Sequence, residues 1–191
     1  MTFEGEENFA CDVREVWAAL HNPDVLRRAI PGCKSFTTRA SNVYVVAVSL
    51  GVAAVKGDYE GTVTVTDVKP LSHYNVEAEG KGAPGFVRLR IDCWFEPKQS
   101  GAFMRWRCDA VVGGVIASIG GKVLSGITKF MAQQFFRAVK DQLAEGGATQ
   151  SAALSVSTRP RRAVPASSTL WNWFARLWAS IVRRTLRRPA E

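Results

Sequence analysis

The sequence predicts an α+β fold: an antiparallel sheet with one apolar face, covered by a long C-terminal helix and followed by a linker and an amphipathic tail helix. Three patterns carry this. Apolar residues alternate with polar ones from Cys33 to Val112, the two-residue period of a half-buried strand. From Val112 to about Glu145 they recur every three or four residues, the period of a helix. Beyond Gly146 both periods stop, and Ala, Ser, Thr, Gly and Pro take over.

The elements follow in order. MTFEGEENFA reads as a first strand. Asp12 is placed to cap a helix whose apolar positions are Val13, Val16, Trp17 and Leu20. NPDVLRRAIPG opens a second short helix at Pro23 and closes it at Pro31-Gly32. NVYVVAVSL is a mostly buried strand. Three further stretches then alternate, with Tyr59, Val63 and Val65, then Tyr74, Val76 and Ala78, then Val87, Leu89, Ile91, Cys93 and Phe95 inward. FMRWRCDAV turns Met104, Trp106, Cys108 and Ala110 inward. If PKQSG closes a hairpin, Asp92 faces Arg105, Arg88 faces Asp109, and Ile91 faces Trp106. Charge on one face and hydrocarbon on the other means a sheet covered on one side only.

The covering helix is predicted to start near Val112, to present Ile116, Ile119, Val123, Ile127, Phe130, Met131 and Phe135, and to end at Gly146-Gly147. Its first half contains Gly113, Gly114, Gly120, Gly121 and Gly126. Each glycine inside a helix costs roughly 1 kcal/mol relative to alanine. Two explanations fit: close helix–sheet contact, or space left for a cavity.

Charge divides the chain further. The net charge is +8, but residues 146–191 hold eight arginines against the single Glu191, a net +7. The preceding residues carry 17 basic and 16 acidic groups, so the domain is close to neutral. No folded basic reader motif accompanies this, which argues against specific nucleic-acid binding. The 23 residues 146–168 read as a linker, with a mean span of about 25 Å if flexible.

Residues 169–188 then form the tail helix. Leu170, Phe174, Leu177, Trp178, Ile181 and Val182 share one face, flanked by Trp171 and Trp173. Arg183, Arg184, Arg187 and Arg188 crowd its end. A tryptophan-rich helix wet on one side matches an interfacial anchor on an anionic membrane. Arg176 interrupts the apolar run, so the segment lies on the membrane and does not span it. Docking on the chain's own domain or on a partner enzyme is the other reading.

Chemistry is sparse. His21 and His73 lack a Ser, Cys or carboxylate at triad-like spacing, and Asp58 and Glu60 point outward. GGVIASIGG lacks the Lys-Ser/Thr of a phosphate loop. The four cysteines form no paired motif, so no metal site is expected, and Cys93 and Cys108 read as buried thiols. An acidic N-terminus without an apolar stretch argues against secretion. No catalysis is expected. The expected role is binding of a lipophilic small molecule, lined by Trp17, Leu20, Leu26, Ile30, Val46, Val48, Tyr59, Val76, Ile91, Trp106, Ile119, Val123, Ile127 and Phe130. Tyr59 offers the one hydroxyl among them.

Four motifs, VWAALHNPDVLRRAIPGC, GVAAVKGDYEGTVTV, EGKGAPGF and VVGGVIASIGGKVLSGITKFMAQQFF, resemble the carbon monoxide dehydrogenase G-subunit family over about residues 1–145. The resemblance implies a helix-grip, START-like fold, its sheet bent around the C-terminal helix. It implies association with a molybdenum hydroxylase such as carbon monoxide dehydrogenase. It also implies coupling of that enzyme to the membrane, in some members through a bound respiratory quinone, menaquinone or ubiquinone. The expected location is the cytoplasm, peripheral on the inner face of the cell membrane. A ligand-free adaptor or maturation factor, recruiting the dehydrogenase through the basic tail, is the alternative.

Overall fold

The computed structural model describes residues 1–51 and 55–153. The tail helix at 169–188, with Trp171, Trp173, Phe174, Leu177, Trp178, Ile181, Arg183, Arg184, Arg187 and Arg188, lies outside the described residues, as does the linker beyond Ala153.

Strand β1 (Thr2–Phe9) leads into α1 (Val13–Leu20) and α2 (Pro23–Ala29). Six strands follow: β2 (Cys33–Ala40), β3 (Val43–Leu50), β4 (Gly57–Lys69), β5 (His73–Gly82), β6 (Gly85–Lys98) and β7 (Gly101–Gly114). A 3-10 turn (Val115–Ser118) then precedes α3 (Gly121–Ala153). The strands form one antiparallel sheet in the order β1-β7-β6-β5-β4-β3-β2. β1 pairs with β7, so the helical excursion after β1 carries the chain from one edge of the sheet to the other, and β1 and β2 remain the free edges.

Local chemistry sets the short helices. Asp12 caps α1 by accepting from the Arg14 backbone N–H at 2.8 Å, while the Asp12 N–H donates to Glu15 at 3.0 Å, a reciprocal capping box. Asn22 caps α2, whose first residue is Pro23.

The core is split. The principal cluster packs Val13, Val16 and Leu20 of α1 and Phe136 and Val139 of α3 onto Phe9, Tyr74, Cys93, Phe95 and Met104 of the sheet. A second, smaller cluster joins Val55 and Tyr59 to Ile116 and Leu124. The outer face carries the charges: Arg90 reaches Glu77 at 2.9 Å and Arg88 reaches Glu79 at 3.2 Å.

Three expectations are corrected. The β6–β7 register lies two residues from the expected one: Asp92 faces Arg107, Arg90 faces Asp109 and Ile91 faces Cys108. The hairpin is tighter than a five-residue turn, with Lys98 and Gly101 already paired; a shift of two keeps every side chain on its face. The covering helix begins at Gly121, because β7 runs through Gly113 and Gly114 and the chain then turns. A Cβ on Gly113 would lie 2.0 Å from the Phe86 ring, and Gly114 sits at φ 76, so both serve the close β6–β7 approach. Finally, α3 does not stop at Gly146-Gly147 but runs to Ala153, where the compact unit also ends.

Candidate functional site

The sheet register determines what the concave face presents. Val48 pairs with Tyr59, Val46 with Gly61, Gly61 with Gly80, Val63 with Ala78, and Val76 with Ile91. Three neighbouring rows across the face are therefore floored by small residues: Gly82 beside Tyr59, Gly61 beside Gly80, and Ala78 beside Val63. Tyr59 belongs to the small cluster and Val65 packs against the principal one. Six residues of β4 separate them, roughly 20 Å at about 3.3 Å per residue. Between them, Val46, Val63, Ala78 and Leu89 point inward, stay half-buried and join neither cluster. An apolar surface inside the grip of a helix would normally be packed to crystal-like density. This stretch is not, so the concave face keeps an apolar gap.

The residues expected to line a cavity divide accordingly. Val46 and Val48 face the gap from β3, and both are half-buried. Val76, Ile91 and Trp106 border it on the side of the principal cluster. Tyr59, Ile119 and Ile127 border it on the other. Trp17 and Leu20 belong to the closed end, where Trp17 stacks on His21 at 4.5 Å and meets Tyr74 and Phe95 edge-on at 5.4 Å. Leu26 lies on α2 and Ile30 caps it, both half-buried and in neither cluster.

Val123 and Phe130 are misassigned. They are 53% and 47% exposed, on the outward face of α3. The chain turns at Gly120 before α3 begins, and the helix then buries Leu124, which the expected stripe lacked, and packs Ile127, which it included, against the small cluster. Gly120, Gly121 and Gly126 are also exposed, and a Cβ on any of them would meet nothing within 4 Å, so close helix–sheet contact does not explain them. Of the inward glycines of β4 and β5, which the periodicity did not single out, Gly80 leaves open space, whereas a Cβ on Gly61 or Gly82 would lie 2.2 or 2.3 Å from a neighbouring carbonyl oxygen, so those two serve close strand approach. Their one signal is the spacing of Gly80 and Gly82, two residues apart on the inward side.

Polar groups at the gap are few. The Tyr59 hydroxyl, expected to be open to a ligand, donates to the Val55 carbonyl at 2.9 Å, and burial pushes its pKa up. Glu7, inward on β1, pairs with Lys140 of α3. His21 bonds the Trp17 carbonyl through Nδ1 at 2.8 Å, which fixes that nitrogen as the protonated one. His73 does meet a carboxylate: its Nδ1 lies 3.3 Å from Asp67, which the irregularity between Thr66 and Lys69 turns toward it. The neighbouring Ser72 hydroxyl donates to the Lys69 carbonyl, so the pair has no activated nucleophile beside it. Cys93 and Cys108 are free and buried; desolvation pushes their thiols up to about 12 and about 11. Among the described residues, no three His, Cys, Asp or Glu side chains cluster as a metal site requires.

The sequence profile of the carbon monoxide dehydrogenase G-subunit (CoxG) family matches residues 5–144, most of the described domain. The chain belongs to that family. Membership in the CoxG family implies an accessory protein associated with carbon monoxide dehydrogenase, in a family of subunits and not of catalytic centres. A conserved protein from Geobacillus kaustophilus shares 33% identity and a TM-score of 0.74, over 76% of this chain and 96% of that one. A Thermus thermophilus protein (TM-score 0.60, 10% identity) aligns over 76% of this chain and 99% of its own. An uncharacterised Rhizobium leguminosarum protein (TM-score 0.60, 13% identity) aligns over 76% and 95%. At such low identity these last two show the fold alone, and that fold is the helix-grip arrangement of the CoxG domain. No curated protein matches the sequence. Among the described residues, no helix is long and apolar enough to cross a membrane.

Proposed function

We propose that this CoxG-family protein is a non-catalytic lipophile carrier. It holds a quinone-like molecule (menaquinone or ubiquinone) in the concave gap and couples a molybdenum hydroxylase of the carbon monoxide dehydrogenase type to the membrane. The observation that carries this reading is the half-buried, uncharged middle of the concave face, where Val46, Val63, Ala78 and Leu89 surround a floor of Gly61 and Gly80 without joining either core cluster. Leaving such a surface unpacked forfeits about 25 cal/mol for each Å² of hydrocarbon that could be buried. A carried apolar ring system would recover that energy.

The basic, tryptophan-rich segment at 169–188 complements this role. Each arginine near an anionic leaflet contributes about 1 kcal/mol, and the apolar face adds the hydrophobic term. Bound reversibly there, on the inner face of the membrane, the carrier would meet its ligand where the ligand is dissolved and stay near the enzyme that uses it.

The experiment is mass spectrometry of solvent extracts from full-length protein purified out of cells that contain quinone. A quinone recovered near one per chain is expected; reproducible absence of any quinone or lipid sinks the carrier reading. A second reading, a ligand-free adaptor or maturation factor, is favoured by one observation. Val123 and Phe130 of α3 stay exposed, apolar surface that a docked dehydrogenase would cover. It predicts recovery of the enzyme with an empty extract.

A further inference from the structure

Charge is spread unevenly over the near-neutral domain. From Thr2 to Leu20, β1 and α1 carry Glu4, Glu6, Glu7, Asp12 and Glu15 against Arg14 alone. From Ala110 to Lys140 the balance reverses: Lys122, Lys129, Arg137 and Lys140 occur without one Asp or Glu. Glu7 pairs with Lys140, and Glu4 lines a cleft beside Lys129. Lys122, Lys129 and Arg137 enter no ion pair among the described residues.

Helical geometry gathers these cations on bare and apolar surface. At 3.6 residues per turn, Lys122, Gly126, Lys129 and Arg137 fall within about 80° of arc on the exposed side of α3. Val123 and Phe130, seven residues apart and therefore in line, border that strip along one flank. They keep 53% and 47% of their surface in solvent. A Cβ on Gly126, near the centre of the strip, would meet nothing within 4 Å. The inner side of the same turns is closed, with Leu124 buried and Ile127 packed against the small cluster.

Exposed hydrocarbon beside unpaired cations fits either an acidic protein or an anionic membrane, and the residue types decide between them. Lysine is depleted from protein–protein interfaces. At a membrane its long stem lets the ammonium reach lipid phosphates while neighbouring apolar side chains enter the boundary between headgroups and acyl chains.

We infer that the outer side of α3, from Lys122 to Arg137, seats the domain on an anionic leaflet, with Val123 and Phe130 entering the headgroup boundary. This rests on the membrane coupling proposed above and adds an orientation to it. Ile127 borders the gap from the helix that lies on the lipid, so gap and lipid stand one helix diameter apart, about 10 Å. So small a patch does not hold the domain alone. It engages once the segment at 169–188 has raised the local concentration of lipid.

The test uses the full-length chain in a Cys11→Ser, Cys33→Ser background; Cys93 and Cys108 are buried and stay unlabelled. The polarity-sensitive dye NBD is attached at Gly126→Cys or, as the control, at Arg14→Cys on the exposed surface of α1. Vesicles contain phosphatidylcholine with about one-third phosphatidylglycerol, enough to give an anionic surface. On vesicles the dye at 126 should brighten and shift to the blue, and the dye at 14 should not. Lys122→Glu combined with Lys129→Glu should remove most of the response at 126 while the protein still co-sediments through its tail. Both lysines are exposed, and a glutamate in the first turn suits the helix dipole, so these reversals spare the fold.

No response at 126 from protein that co-sediments, equal responses at 126 and 14, or a response untouched by the charge reversals overturns the seat and leaves the tail anchor and carrier standing. A response at 126 that appears with purified carbon monoxide dehydrogenase, and not with vesicles, also overturns it and assigns the face to the enzyme. Failure of the full chain to co-sediment removes the membrane coupling and the seat together. An empty solvent extract with the response at 126 intact removes the carrier alone and supports the seat.

Discussion

Gly80→Leu is the substitution that most directly tests whether the concave face is empty. A Cβ at Gly80 would meet one atom among the described residues, the Glu60 carbonyl oxygen at 4.0 Å, an ordinary contact. Its paired neighbour Gly61 is the opposite case, with a Cβ 2.2 Å from the Glu79 carbonyl oxygen. Replacing a strand glycine removes a conformational cost of roughly 0.5–1 kcal/mol. Partial burial of leucine against the half-buried Val46 and Val63 adds a fraction of the 1.5–3 kcal/mol a fully buried one contributes. The expected net is about +1 kcal/mol, a rise in Tm of roughly 2–4 °C for a domain of this size. Gly61→Ala should instead lose about 1–3 kcal/mol through overpacking. Thermal denaturation by circular dichroism gives both numbers, and solvent extraction of the same samples gives the ligand content. Gly80→Leu should come out more stable and with most of its ligand lost. A fall in Tm of several degrees would show that the site is already filled. Full ligand content in a stabilised variant would place the ligand elsewhere.

Other consequences can be checked alongside. Burial pushes the Cys93 and Cys108 thiols to about 12 and about 11 from an ordinary 9.0, so the folded protein keeps them protonated. That stabilisation is complete below about pH 9 and is lost as pH rises through the folded values, so unfolding free energy should decline from pH 9 upward. Iodoacetamide at about pH 8 should label the half-buried Cys11 and Cys33 first and reach Cys93 and Cys108 only after denaturation, as peptide mapping would show. Asp12→Ala removes the α1 cap and should cost about 1 kcal/mol, read as a fall in Tm of roughly 2–4 °C. Full-length protein should co-sediment with anionic liposomes, and a chain truncated after Ala153 should not; equal binding by the two would sink the anchor reading.

The two-residue period disclosed every inward strand position that matters, because a residue's face depends only on parity. Register depends on turn length as well. The hairpin after Lys98 closes with two residues, and the expected partners moved by two without any side chain changing face. Helical phase was less secure. Ile116 and Ile119 fit one continuous stripe with Val123 and Phe130, yet they lie before α3 begins, and beyond the turn Val123 and Phe130 fall in solvent.

The gap itself was out of reach for a different reason. Periodicity tells which side chains point inward, not whether anything packs on them. Val46 and Phe95 carry the same inward signature, but Phe95 is buried beneath α1 and Val46 is half-exposed. What separates them is that Gly61 and Gly80 fall beside Val46 when β3, β4 and β5 align, while Tyr74 and Trp17 crowd Phe95. Glycines nineteen residues apart in the chain become one floor only through that alignment. A space for a ligand is therefore a property of the assembled sheet, and the substitution at Gly80 addresses it more directly than any change to the glycines of α3.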